Sequence, residues 1–217
     1  MGDQVSRLRT VSESSGFSRK RLVFGLKVAV FIVSLWPVTE IVIAFLTGNT
    51  RLFGANPAEK ILHRTGDWAI YFLLITLAIS PLRRITGLND LIKFRRMAGL
   101  FAFFYAFLHL MSYIAFDRFF YFDEILQDIF KRPFIFVGIA AFILLIPLAV
   151  TSTRGWVQRL GGHRWILLHR SVYIIAILGV AHYWWLVKRD LLWPAIYAGI
   201  LIVLLGYRLL PKKRFRG

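Results

Sequence analysis

The 217-residue sequence contains no cysteine. That excludes disulfides, thiolate zinc sites, Cys-ligated iron–sulfur clusters and covalent attachment of c-type haem. Any redox centre must then be held by histidine, methionine or a non-covalent pocket, and only 5 His and 3 Met are present. Acidic residues are also scarce: 11 Asp and Glu stand against 28 Lys and Arg, for a formal net charge of +17. No Gly-rich dinucleotide fingerprint follows a candidate strand, so the chain is not expected to take hydride from NADPH by itself. No nucleophile–base set for hydrolysis stands out either. Residues 1–21 lack the short apolar core and small-residue cleavage site of a removable signal peptide. This Arg- and Ser-rich stretch is expected to be a disordered cytoplasmic tail.

Apolar residues, by contrast, make up 58% of the chain, with 20 Phe, 8 Tyr and 7 Trp and a mean hydropathy of +0.62. That composition belongs to a membrane protein rather than to a soluble domain with one core. Six apolar segments recur: Val28–Leu46, Trp68–Leu82, Met97–Phe116, Phe134–Val150, Leu167–Val187 and Leu191–Leu210. A spanning helix needs about 20 residues, which the second and fourth segments reach with their flanks. The expected fold is an all-α integral membrane protein with six transmembrane helices over residues 22–211, followed by a basic cytoplasmic tail at 212–217.

The placement of the charges explains the net charge. Twenty of the 28 Lys and Arg fall on one side of the spans, in the two termini and the second and fourth connections. Seven of the 11 acids fall on the other side. The Lys/Arg-rich side is cytoplasmic by the positive-inside rule, so both termini are expected there. Nucleic-acid binding would need a soluble basic fold, and none is apparent.

Three histidines lie within the apolar segments, where ionisable groups are functional-site candidates by default. His109 stands 13 residues beyond Arg96, about 20 Å into the third helix, and His182 stands 15 residues beyond Leu167, about 22 Å into the fifth. The two share a depth in the outer half of the membrane, on different helices, where imidazoles can clamp a haem iron between them. His169 lies near the cytoplasmic edge and points about 140° away from His182 on an ideal helix. Position 95, fourteen residues before His109, is an arginine and cannot ligate. A clean second bis-His pair is therefore lacking. Met97 or His163 as partner to His169, or a flavin, quinone or propionate contact, all stay open.

Other residues divide between site and membrane interface. His63 begins the second helix at the outer face, placed to meet an outer haem, a docked partner or solvent. Arg96 and Arg170 suit haem propionates or a flavin phosphate, because guanidinium pairs with such anions in a fork; headgroup contact is the plainer reading. Glu40, beside Trp36-Pro37, reads as a headgroup-level carboxylate. The two long connections, Thr47–Asp67 and Asp117–Pro133, are both outside. In the second, Phe122, Ile125, Leu126, Ile129 and Phe130 follow helical spacing, with Asp123, Glu124 and Asp128 on the opposite face. Those acids and His63 are candidates for partner docking. No internal repeat is visible.

Several stretches together resemble the ferric-reductase-like transmembrane cytochromes. Within them they resemble most the haem-binding membrane subunits of bacterial periplasmic methionine sulfoxide reductase systems. They are Phe53-Gly-Ala-Asn-Pro-Ala58 with His63-Arg-Thr-Gly66, Arg95-Arg-Met-Ala-Gly99, Leu108-His-Leu-Met-Ser-Tyr113, Thr151-Ser-Thr153, Arg164-Trp-Ile-Leu-Leu-His169 and Ala181-His-Tyr-Trp-Trp-Leu186. They run from about residue 50 to 200. The resemblance implies a haem-binding four-helix core (helices 2–5), haem b ligated through His109, His169 and His182, and an association with FMN. It further implies an inner-membrane subunit passing electrons from quinol or a cytoplasmic flavin reductase to a periplasmic molybdopterin-containing reductase of the MsrP type. Arg95 departs from the His pair of the NADPH oxidases in this superfamily. With seven residues after Leu210 in the sequence, a fused flavin and nicotinamide domain like theirs is not expected. Two alternatives stand beside this expectation: a self-contained quinol-linked or metal-reducing cytochrome, and a non-redox transporter or scaffold whose histidines only pack.

Overall fold

A computed structural model describes residues 2–49, 54–187 and 190–209, with side chains from Arg19 onward. The basic tail at 212–217, and Phe53 of the first resembling stretch, lie outside the described residues. Every described span is helical, and six helical stretches are long and apolar enough to cross a membrane: Arg19–Leu46, Pro57–Thr86, Asn89–Asp117, Pro133–Val150, Gly162–Leu186 and Leu192–Leu209. The chain divides into two compact units, residues 1–48 and 49–217.

The first unit is a single helix, α1 (Gly2–Leu46), with Pro37 inside it. Here the structure departs from the expected disordered tail over residues 1–21, because the helix begins at Gly2. The reason lies in helix cooperativity: nucleation is the costly step, and no proline interrupts the chain before Pro37. A helix nucleated in the apolar stretch can propagate back into the polar one.

The second unit opens with α2 (Pro57–Thr86). Asn56 caps it, accepting from the Glu59 amide at 3.3 Å while its Nδ2 donates to Glu59 Oε2 at 3.0 Å. Pro57 takes the first helical position, where its missing N–H costs nothing. Gly87, at φ 72°, ends the helix and donates to the Arg83 carbonyl, a left-handed cap that glycine adopts without strain. A 3-10 turn (Asn89–Leu91) leads to α3 (Ile92–Ser112), which runs into a π-helical turn, Tyr113–Asp117. Then follow α4 (Phe122–Lys131), α5 (Pro133–Val150), α6 (Arg154–Leu160), α7 (Gly162–His169), α8 (Val172–Leu186) and α9 (Leu192–Leu209).

The fifth apolar segment is thus two helices. The break falls at Arg170-Ser171, where the Arg170 amide and the Ser171 amide bond carbonyls three residues back at 3.2 and 3.1 Å. His169 closes α7 and His182 sits in α8, so the 140° offset of one continuous helix does not apply to them.

Lipid is as apolar as leucine, so helices in a membrane associate by close packing and polar contacts rather than by the hydrophobic effect. In this unit aromatic stacking joins α2 to α3. Phe72 stacks on Tyr105 at 5.6 Å and 8°, and on Phe101 at 5.2 Å and 25°. Such pairs contribute about 0.5–1.5 kcal/mol each, and Tyr105 is fully buried. Phe103 stacks on Phe142 at 5.7 Å and joins α3 to α5. Tyr197 of α9 donates to the Tyr71 hydroxyl of α2 at 3.1 Å. Arg208 of α9 donates to the Leu77 carbonyl at 2.8 Å and to the Tyr173 hydroxyl, the pairing an intramembrane cation requires.

Candidate functional site: a histidine pair on a cavity between four helices

Helices α2, α3, α5 and α8 enclose a cavity of about 330 Å³ whose lining includes His109, His182, Gly66 and Gly138. His109 of α3 and His182 of α8 face each other across it, ring centres 6.0 Å apart and planes at 78°. The shared depth expected from the sequence is therefore a direct juxtaposition. His169 is not part of it.

Each ring of the pair is oriented by a backbone carbonyl on the neighbouring helix. His109 Nδ1 lies 2.9 Å from the Leu62 oxygen of α2, and His182 Nδ1 lies 2.6 Å from the Phe134 oxygen of α5. A carbonyl only accepts, so both Nδ1 atoms carry the proton and both Nε2 lone pairs are free to ligate. This is the arrangement by which metal-binding histidines are oriented and made more basic. A metal–nitrogen bond of about 2 Å on each ring would set two imidazoles sharing one ion about 6 Å apart, centre to centre. Among the described residues no group of three or more His, Cys, Asp or Glu is placed to hold a bare ion. The residues present fit haem: His109 and His182 would hold its iron through their Nε2 atoms, and the group would supply one-electron redox chemistry.

The sequence shows no repeat, yet the two halves of the site match. In each, a carbonyl, a glycine four residues on, and a histidine on a partner helix come together: Leu62, Gly66 and His109, then Phe134, Gly138 and His182. Gly66, within the polar run His63-Arg-Thr-Gly66-Asp67, enters the sequence reading only as part of a resembling stretch, and Gly138 reads as one small residue in an apolar helix. A glycine inside a helical pattern is disfavoured against alanine, so each asks for a packing or functional reason.

A second cavity, of about 670 Å³, shares Leu73, Ala102 and Leu145 with the first. Four arginines line it, Arg95, Arg96, Arg154 and Arg170, together with His169 and Trp165. The sequence singled out Arg96 and Arg170 as cofactor-binding candidates; Arg95 and Arg154 join them because the fold folds two loops onto one end of the bundle. His169 stacks on Trp165 at 3.9 Å, and its Nε2 lies 3.0 Å from Thr151 Oγ1. Thr151 gives its single hydroxyl proton to the Pro147 carbonyl at 2.6 Å, so it accepts from His169 Nε2–H. His169 is thus held in the tautomer opposite to that of the pair, its Nε2 already engaged. Neither Met97 nor His163 lines this cavity.

On the side of the pair, His63 and Asp67 reach the edge of the first cavity, and His63 Nε2 lies 3.7 Å from Glu59. The stretch Phe122–Lys131 is helical, as its spacing predicts. Asp123 and Glu124 are exposed on it. Asp128 is not. Expected on the same outward face, it is 7% exposed, accepts from the Tyr113 hydroxyl at 2.8 Å and pairs with Arg118 and Arg132. The physical reason is the π turn, which brings Tyr113 and the little-exposed Arg118 to the inner side of α4, where Asp128 meets both; Asp117 and Glu124 reach the same guanidinium from the exposed side at 3.6 and 3.4 Å. Burial by itself lowers the Arg118 pKa. The Tyr113 hydrogen bond and the Asp128 and Asp117 charges outweigh it and hold the pKa above the ordinary arginine value.

Comparison with known proteins gives the family. The family described as "Ferric reductase like transmembrane component" matches residues 65–180. The protein-methionine-sulfoxide reductase heme-binding subunit MsrQ of Herminiimonas arsenicoxydans is 54% identical over 185 residues, covering 84% of each chain. The protein of the same name from Rhodospirillum rubrum is 52% identical over 190 residues, 88% of this chain and 90% of its own. That from Xanthomonas axonopodis pv. citri is 47% identical over 201 residues, 93% of this chain and 90% of its own. Similarity of this extent spans both cavities and all four helices around the histidine pair, and the chain belongs to the MsrQ family within the ferric-reductase-like transmembrane proteins.

Proposed function

We propose that the protein is a b-type cytochrome subunit that carries electrons across the bacterial inner membrane to a periplasmic, molybdopterin-containing MsrP-type reductase of protein methionine sulfoxide. The reading rests above all on His109 and His182, 6.0 Å apart with both Nδ1 atoms on carbonyls. A haem bound there supplies one-electron redox chemistry. The chain's own residues orient the two Nε2 atoms, exclude water with the apolar wall around Leu73 and Leu145, and fix the ligand tautomer. The names of the relatives, which state haem binding and methionine sulfoxide reduction, support the same reading.

Both termini are assigned to the cytoplasm on the Lys/Arg distribution, which puts the histidine pair in the outer half of the membrane and the arginine-lined cavity at the cytoplasmic end. That cavity then faces the donor. Its four guanidinium groups and Trp165 suit a planar anionic group such as FMN, with quinol or a cytoplasmic flavin reductase as the source of electrons. His169, Arg96 and Arg170 would hold that group or a second haem. Exposed Asp123 and Glu124 and half-buried His63 would meet the acceptor on the outer side, a contact expected to be small and salt-dependent.

The test is spectroscopic. His109→Ala and His182→Ala should each abolish the low-spin haem signal or convert it to high spin. Purified variants with unaltered haem content and spin state would refute the pairing.

A further inference from the structure

We propose that Gly66 and Gly138 are positioning residues for the two imidazoles, each keeping open the approach by which a histidine reaches a carbonyl inside an intact helix. The proposal rests on the reading of His109 and His182 as the ligands of haem iron.

In an α-helix the carbonyl of residue i accepts from the amide of residue i+4, and each Cα–Cβ bond tilts toward the N-terminus. A side chain therefore covers the turn before it. The Leu62 carbonyl lies under position 66, and the Phe134 carbonyl under position 138. An outside donor reaches either oxygen only through the space where that side chain would stand. Both positions are glycine. A Cβ built at residue 66 would lie 3.0 Å from His109 Nδ1 and 3.1 Å from its Cε1. At residue 138 it would lie 2.7 Å from His182 Nδ1 and 2.8 Å from its Cε1. These are the donating nitrogens themselves. The ring cannot retreat without leaving the carbonyl, which is why the two features occur together in both halves of the site.

Other helical glycines do not share this role. A Cβ at Gly99 or Gly179 would make ordinary contacts at 3.7 Å, and at Gly199 or Gly206 it would meet nothing within 4 Å. Glycine within a helix is less favourable than alanine, so alanine should be the better residue at 66 and 138 if helix stability were all that mattered there.

The expected result follows from ligand basicity. Alanine at either position pushes the ring off its carbonyl and weakens the Nδ1–H bond, so Nε2 becomes a poorer donor. Oxidised iron depends more on that donation, so the midpoint potential should rise. Haem retention should fall about tenfold or more, as when an outer partner of a ligating histidine is lost. The shorter contact makes Gly138→Ala the stronger variant and Gly66→Ala the milder.

The experiment compares Gly66→Ala, Gly138→Ala and Gly199→Ala, purified in detergent, by low-spin electron paramagnetic resonance, redox titration and the rate of haem loss. Helicity and elution volume report folding. Changed g-values, a raised potential and faster haem loss in Gly66→Ala, larger in Gly138→Ala and absent in Gly199→Ala, are expected. If Gly138→Ala does not accumulate, Gly66→Ala decides the matter. Wild-type spectra, potential and haem retention in Gly66→Ala would overturn the proposal. His109→Ala and His182→Ala run alongside: loss of low-spin haem in them with no effect of the glycine variants sinks the positioning role alone. Retention of low-spin haem in them sinks the ligand assignment beneath it.

Discussion

At the residue scale, three histidines of similar sequence context divide into two kinds by what their ring nitrogens touch. His109 and His182 spend Nδ1 on carbonyls, which leaves the Nε2 lone pairs free to ligate. His169 spends Nε2 on Thr151, whose own proton is committed to Pro147. A different consequence is expected from removing it. His169→Ala should leave the low-spin signal of the pair in place and reduce instead the retention of FMN or of a second haem at the arginine-lined cavity. Resonance spectra with flavin fluorescence of the purified variant check this, and disappearance of the low-spin signal to the same degree as in His109→Ala would contradict it. The sequence located all three histidines by type and depth. The tautomers it left open, because they depend on oxygens of residues 47, 48 and 18 positions away in the chain.

At the scale of elements, α4 is latched and presented by different residues. Asp128 receives the Tyr113 hydroxyl and two guanidinium groups, while Asp123 and Glu124 stay exposed. Asp128→Ala leaves Arg118, with 16% of its side chain exposed, short of its buried carboxylate. The cost should be about 1–3 kcal/mol, seen as a lowered melting temperature in detergent. Charge reversal at Asp123 should leave melting and the haem spectrum alone and slow electron transfer to the periplasmic reductase at low salt, whereas reversal at Glu124, whose Oε2 lies 3.4 Å from Arg118 Nη1, should lower the melting temperature as well. A stable Asp128→Ala protein would remove the latch, and unaltered transfer in the reversal would place docking elsewhere. Periodicity alone made α4 legible as an amphipathic helix. It assigned Asp128 to the wrong face because the π turn after α3, which brings Tyr113 and Arg118 to meet it, has no signature in apolar spacing. The same holds for the break at Arg170-Ser171, since both halves of the fifth segment are apolar enough to read as one helix.

For the whole molecule, the proposed direction of electron flow depends on which end of the bundle faces the cytoplasm. On the proposed orientation, which rests on the Lys/Arg distribution, the arginine-lined cavity faces the cytoplasm and the histidine pair lies at the opposite side. A reporter fused at residue 217 should be active as a cytoplasmic fusion and inactive as a periplasmic one. The reverse outcome would invert the assignment of donor and acceptor ends while leaving the cavities as they are. The two cavities share the residues Leu73, Ala102 and Leu145, so one apolar layer lies between the arginine-lined compartment and the one that holds the His109–His182 pair.

By itself the sequence determined the class of protein, the number of spans, the charge asymmetry and the residue types able to ligate iron. Each of these follows from composition or from spacing along one helix, which hydropathy and a rise of about 1.5 Å per residue carry directly. Tertiary structure decided that His109 and His182 meet, that each is aimed by a carbonyl through a glycine-sized opening, and that Arg95 and Arg154 join Arg96 and Arg170 around a single cavity. Those are relations between helices. They depend on rotation and packing distance about each axis, which a linear pattern of apolar residues leaves free in a solvent where every lipid-facing side is apolar as well.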